Sequence, residues 1–256
     1  MDLQMDPSLA TGYKSRAQIA RVVTESWAAR EAYCPSCQNG PLVAEPKNTK
    51  VIDFNCERCD EPYQLKSQGH PFSAKIVDSA YRPMYDAVFS GHAPNFILLH
   101  YDQVAWRVID LLAVNRRLLT VRAVVPRPAL RPPARRAGWI GCWIDLQGLP
   151  DGALVPLIQN GLERDHALVQ DQWGRFNFLS SQKARTRGWL ADVLSCVRQV
   201  GKAEFSLRDI YAFEDELGRL HPENRNIQPK IRQQLQLLTR YGVVRRVRPG
   251  VYQPNG

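Results

Sequence analysis

A mixed α/β fold in two parts is what the sequence predicts: a core with an embedded four-cysteine ribbon, then a small basic helical module. Three observations point there. Cys34, Cys37, Cys56 and Cys59 stand as C-x2-C-x18-C-x2-C. The 256-residue chain carries a net charge of +9, and residues 183–256 hold most of it, with 14 Lys and Arg against 7 Asp and Glu. Within that basic segment, apolar residues pass from helical spacing to alternation.

The cysteines come first because their chemistry is the most specific. Two residues between the members of a pair let a short turn aim both thiolates at one ion, and two such knuckles complete a tetrahedral shell. A closed four-thiolate shell leaves no position for water, so the expected Zn2+ is structural. Disulfide pairing is the alternative for the same four residues. Cys142 and Cys196 lie in apolar sequence and are expected in the core. The first six residues have neither the basic nor the apolar stretch of a secretory leader, and no segment approaches membrane-spanning length. A reducing cytoplasm, with no membrane partner, is the expected location.

Residues 51–54 read as a strand entering the second knuckle and residues 63–67 as a strand leaving it. Alternation places Gln64 and Lys66 on one face and Leu65 on the other.

In the basic tail, Leu190, Val193, Leu194 and Val197 recur at helical spacing and predict a first helix over 188–200. Ser206 is placed to cap a second, with Leu207, Ile210, Tyr211, Phe213 and Leu217 inward. A third is expected over 227–241, with Ile227, Ile231, Leu235 and Leu238 inward and Gly242 as its stop. Residues 243–247 and 251–253 alternate around Pro249 and Gly250 as a hairpin. Three helices followed by a basic hairpin describe a winged helix, whose third helix enters the DNA major groove. Its outward face offers Asn226, Pro229, Gln233, Gln236 and Arg240, after Arg225, and the wing offers Arg245, Arg246 and Arg248 to phosphates. A solvated basic surface without a partner is the alternative.

Between residues 111 and 144 stand seven arginines (116, 117, 122, 127, 131, 135 and 136) and no carboxylate. Pro126, Pro128, Pro132 and Pro133 favour an extended middle, ending in Arg135, Arg136 and Trp139 as an ordered DNA-contacting arm. Trp139 serves either against the bases or as a core residue opening a strand over 140–146.

Asp53, Gln64 and Lys66 match the skeleton of the PD-(D/E)xK nucleases. There an Asp and an acid on the next strand hold Mg2+, and a Lys two residues later steers the attacking water. The order of features along nearly the whole chain also resembles the DpnI-like methyl-directed type II restriction endonucleases. The resemblance is carried by Tyr13-Lys14-Ser15, Thr24-Glu25-Ser26-Trp27, Tyr33-Cys34-Pro35-Ser36-Cys37 and Leu65-Lys66-Ser67. It continues in Ala134-Arg135-Arg136-Ala137-Gly138-Trp139-Ile140-Gly141-Cys142, Arg187-Gly188-Trp189 and Lys230-Ile231-Arg232-Gln233-Gln234-Leu235.

That resemblance implies a PD-(D/E)xK core with embedded ribbon over residues 1–182 and a winged helix over 183–256. It implies catalysis by Asp53, Gln64 and Lys66, with Mg2+ or Mn2+ on Asp53, Gln64 and Leu65, and cleavage of duplex DNA at adenine-methylated G(m6A)TC sites by a monomer. One departure stands out, since the family has an acid where this chain has Gln64. A glutamine carbonyl still ligates a hard cation, with weaker electrostatics, and Glu25 or Glu61 is placed to supply a compensating carboxylate. Two other functions fit the same residues: a non-catalytic DNA-binding regulator with a dead site, and a nuclease for unmethylated DNA.

Overall fold

A computed structural model describes residues 1–46 and 51–255; residues 47–50, which belong to the expected ribbon, lie outside the described residues. The chain packs as two compact units, each drawn from three segments.

The first unit comprises Met1–Ala74, Ala93–Arg116 and Leu154–Gly174. Its sheet has, in spatial order, the strands Val43–Ala44, Phe54–Asn55, Pro62–Gln68, Asn95–Asp102, Arg107–Val114, Leu154–Gln159 and Leu162–Glu163. Only Pro62–Gln68 and Asn95–Asp102 run parallel; every other neighbouring pair is antiparallel. A parallel pair requires a long crossover. Residues 69–94 supply it through the strand Lys75–Ala80 and the helix Tyr81–Ser90.

Asn95–Asp102 reads N-F-I-L-L-H-Y-D, and every residue but the last is buried. A near-continuous apolar run is what a strand covered on both faces needs. Ile97, Leu99 and Tyr101 join one core with Trp27, Val23 and Trp173. Trp27 comes from the helix Arg16–Glu31, whose buried residues Val23, Thr24, Trp27 and Ala28 form one stripe. Its indole N–H donates to the Asp2 carbonyl at 2.8 Å, which closes the polar end of an otherwise apolar contact.

The second unit comprises Lys75–His92, Arg117–Ala153 and Arg175–Gly256. A small antiparallel sheet sets Gly141–Asp145 between Lys75–Ala80 and Val124–Pro126. The C-terminal part holds the helices Ala184–Val200, Leu207–Tyr211, Glu214–Leu220 and Ile227–Arg240, then the hairpin Val244–Arg248 and Val251–Pro254. This is the expected winged helix, completed by a short strand that the periodicity did not reveal. Phe205–Ser206 pairs with Val251 and Tyr252 as the third strand. An ion pair of 2.9 Å from Arg122 to Glu216, and a bond from Arg198 to the Leu149 carbonyl, tie these helices to the Arg117–Ala153 segment.

Three expectations need correction. The second helix of the tail is two, because Phe213 leaves helical geometry (φ −94, ψ 11) and Glu214, Asp215 and Glu216 start a new N-terminus suited to negative charge. The strand expected over 51–54 is regular only at Phe54–Asn55, since Val51 adopts a left-handed φ of 69 that no extended strand accepts. The proline-rich segment is extended as far as Leu130 and then closes. Gly138 N–H donates to the Leu130 carbonyl at 2.8 Å and Leu130 N–H to the Trp139 carbonyl at 2.9 Å, so residues 131–138 form a loop. Among the described residues, no helix is long and apolar enough to cross a membrane.

Candidate functional site

The sulfur atoms of Cys34, Cys37, Cys56 and Cys59 all lie within 4.8 Å of one another. Cys34 and Cys59 are 3.5 Å apart, as are Cys37 and Cys56, far beyond disulfide bonding, and all six cysteines are free. A tetrahedron with 2.3 Å zinc–sulfur bonds has edges of about 3.8 Å, so the donor set fits zinc. The two knuckles share one backbone design. Gln38 N–H donates to the Cys34 carbonyl and Asp60 N–H to the Cys56 carbonyl, each at 2.8 Å. Gln38 and Asp60 each follow the second cysteine of their pair with a positive φ, 62 and 54.

Burial pushes the Cys34 thiol up to about 11, and burial with the neighbouring sulfurs raises Cys59 as well, whereas at Cys56 burial is outweighed by the backbone N–H groups of Cys59 and Arg58, which lower it. A divalent ion offsets the cost of burial, since only thiolates ligate it.

The Tyr63 hydroxyl lies 3.0 Å from the Cys34 sulfur. Tyr63 belongs to the strand Pro62–Gln68, so the cysteine cluster and the next residue, Gln64, are held by one strand through opposite faces. Antiparallel pairing sets Phe54 opposite Tyr63, and its continuation sets Asp53 opposite Gln64. Asp53 is fixed at both backbone and side chain. Its N–H donates to the Tyr63 carbonyl at 2.9 Å, and its Oδ2 accepts from Leu65 N–H at 2.8 Å. Gln64 is 8% exposed, and its amide oxygen is buried with no hydrogen-bond donor among the described residues. Lys66, two residues on, shares its face and is half-buried. Asp53 therefore leads directly into the strand Phe54–Asn55, which pairs with the strand bearing Gln64, Leu65 and Lys66.

Both candidate compensating carboxylates carry cationic partners of their own. Glu61 is 5% exposed and accepts from Asn95 Nδ2 at 2.9 Å and Arg116 Nε at 3.0 Å, contacts that tie three strand ends together. Glu25 pairs with Arg21 at 3.6 Å on the helix Arg16–Glu31. Thr24, beside it, reaches Ser67 at 3.0 Å, on the sheet face opposite to that of Gln64 and Lys66.

In the second unit, Arg135 and Arg136 are exposed at the tip of the 131–138 loop, and Trp139 is half-buried at its base. The Trp139 ring lies so close over Gly141 that a Cβ there would sit 2.7 Å from it. In the winged helix, Arg225, Asn226, Pro229, Gln233, Gln236 and Arg240 are exposed, as are Arg245, Arg246 and Arg248. Two side chains are held in place: Lys230 donates to Gln233 Oε1 at 2.8 Å, and Arg245 to Gln253 Oε1 at 2.7 Å. The Gln233 amide oxygen is thereby occupied as an acceptor.

Residues 1–182 match the model of DpnI, the Dam-replacing family, and residues 185–254 match its companion, the Dam-replacing HTH domain. The chain belongs to the DpnI family. Membership makes it a DNA-directed restriction enzyme that binds DNA and carries a helix-turn-helix domain. The boundary between the two matches falls at the start of the helix Ala184–Val200.

Sequence reasoning missed the polar anchors of this DpnI-family site. Asn95 and Arg116 lie 34 and 55 residues from Glu61, and no local pattern announces a contact over that distance. Tyr63 was within reach, because alternation already set it on the face opposite Gln64.

Proposed function

We propose that this protein is a type II restriction endonuclease that hydrolyses phosphodiester bonds of duplex DNA at adenine-methylated G(m6A)TC sites, dependent on Mg2+ or Mn2+. The observation that carries the reading is the buried, undonated amide oxygen of Gln64 beside Asp53, on the strand that bears Lys66. An acceptor buried without a donor costs about 1–3 kcal/mol, and a cation held there offsets that cost.

Asp53, Gln64 and the carbonyl of Leu65 would hold the cation. The Leu65 N–H, bonded to Asp53 Oδ2, keeps that carboxylate turned to the site. Bound Mg2+ supplies charge neutralisation at the scissile phosphate and a more acidic water. Lys66 adds a fixed positive charge on the same face, which favours hydroxide and the oxyanion of the transition state. The four cysteines would hold a structural Zn2+, which would brace the strand bearing Gln64 and Lys66 through the contact of Tyr63 with Cys34.

Residues 1–182 are the nuclease domain and residues 183–256 the winged-helix domain of a monomer working in the cytoplasm. Arg135, Arg136 and Trp139 contact DNA from the first, and Arg225, Asn226, Gln233, Arg245 and Arg246 from the second. Burying one methyl group is worth only about 1 kcal/mol, so strong methyl discrimination needs several contacts or both domains reading.

Gln64 itself favours one rival, a DNA-binding regulator whose nuclease site is dead. Digestion of one plasmid prepared with and without adenine methylation, in Mg2+ and in Mn2+, separates the readings. Cutting of the methylated form alone is expected. Cutting of neither form makes the protein the regulator, and cutting of the unmethylated form alone overturns the methyl-directed reading.

A further inference from the structure

The seven arginines between residues 111 and 144 divide by use. Arg116 is bonded to Glu61 and Arg122 to Glu216, while Arg117 buries a guanidinium nitrogen. Arg127, Arg131, Arg135 and Arg136 remain on one hairpin, the last three exposed.

That hairpin belongs to the small sheet, which has one packed and one open face. Ile76, Asp78, Val124, Cys142 and Ile144 are buried. On the other face Val77, Trp143 and Val125 form one cross-strand row, and Val77 is 56% exposed. The Lys75 ammonium and the Arg127 guanidinium each lie 5.7 Å from the centre of the Trp143 ring. Arg127 N–H donates to the Gly141 carbonyl at 2.9 Å, so the ladder runs on towards the loop that bears Arg131, Arg135 and Arg136.

We propose that this open sheet face is a sequence-independent contact surface for the sugar-phosphate backbone of duplex DNA, continuing the path of the arginine loop. Lys75 and Arg127 face phosphates, and the Trp143 ring with Val77 and Val125 packs against deoxyribose. Charge complementarity names the occupant: an apolar row flanked by cations, leading into three more cations, matches a polymer that alternates apolar sugars with anionic phosphates. The proposal rests on the DNA-directed reading above and adds a surface to it.

The test is equilibrium binding of the full-length, zinc-loaded protein to methylated and unmethylated duplexes across a KCl series, without Mg2+ so that nothing is cut. Lys75→Gln/Arg127→Gln should weaken binding to both duplexes by a similar factor, about tenfold at low salt, and flatten the slope of log affinity against log salt by about 2. Val77→Arg, which adds a cation at the exposed centre of the face, should tighten binding and steepen the slope by about 1. A double variant with wild-type affinity and slope, or a Val77→Arg variant that binds no better, overturns the proposal and leaves the face to another acidic partner or to none. Failure of the wild-type protein to bind either duplex would instead sink the DNA-directed reading on which it rests.

Discussion

Replacing Arg116 with methionine tests whether Glu61 is an anchor or a metal ligand. Glu61 has a side chain 6% exposed, and Arg116 one 26% exposed, with 3.0 Å between the bonded atoms. Removing one partner of a buried pair typically costs about 3–5 kcal/mol, since the remaining charge is left desolvated. Asn95 still donates to Glu61 at 2.9 Å, and water reaches the partly exposed Arg116 side, so the lower end, about 3 kcal/mol, is expected. For a chain with a urea dependence of about 3 kcal/mol per molar, that lowers the midpoint by about 1 M. Urea titration of the zinc-loaded protein, followed by far-UV circular dichroism, reads it directly. Glu61→Gln keeps an acceptor for both donors without the charge, and should cost about 1 kcal/mol. The double variant should be more stable than Arg116→Met alone. A midpoint shift for Arg116→Met below about 0.3 M would refute the anchoring argument. Loss of metal-dependent cleavage in a folded Glu61→Gln protein would return Glu61 to the metal.

Four further outcomes follow from the same geometry. Cys56→Ser should lose zinc and unfold the strands that carry Asp53 and Lys66 as well as the knuckles, so metal content and cleavage should fall together; normal cutting by this variant excludes a structural metal. Lys66→Ala should abolish cleavage of methylated duplex while binding stays within a few-fold, and an active Lys66→Ala protein removes the site from consideration. Gln64→Glu should keep or raise activity and shift the optimum towards Mg2+, because a carboxylate binds a hard cation more strongly than an amide; a folded but inactive variant places the metal elsewhere. Asp209 closes the capping box at Ser206, and bonds from Lys202 and then Ser206 hold its carboxyl well below the usual range. A depressed folded value means that the stabilisation is present above the unfolded value of about 3.9 and fades as pH falls through the folded one. The advantage of wild type over Asp209→Asn in thermal midpoint should therefore be full at pH 7 and shrink under strong acid; a pH-independent difference contradicts the assignment.

Local patterns carried much of this. The cysteine spacing named a four-sulfur cluster because ligand geometry at a knuckle is set within four residues, and the structure brings the sulfurs within 4.8 Å. The tail was legible for the same reason: amphipathic periodicity, a serine cap and glycine stops act within a turn, and Gly201 and Gly242 end their helices at φ 63 and 70. Alternation alone paired Gln64 with Lys66. It failed at residues 51–53, where one left-handed valine overrides strand propensity.

What the sequence by itself determined is thus the chemistry available: four thiolates, an Asp-Gln-Lys set on two strands, a basic winged helix and an arginine-rich segment. Tertiary structure alone decided which of those groups are free to act. Glu61 and Arg116, far apart in the chain, offset one another in a pair, whereas the Gln64 oxygen is buried with no donor among the described residues. Arg122 is taken up by Glu216, while Arg135 and Arg136 reach solvent from a loop closed by two backbone bonds. The reason is physical. Charge and ligand type belong to single residues, but desolvation and pairing depend on what the fold packs against them, and those partners come from distant parts of the chain.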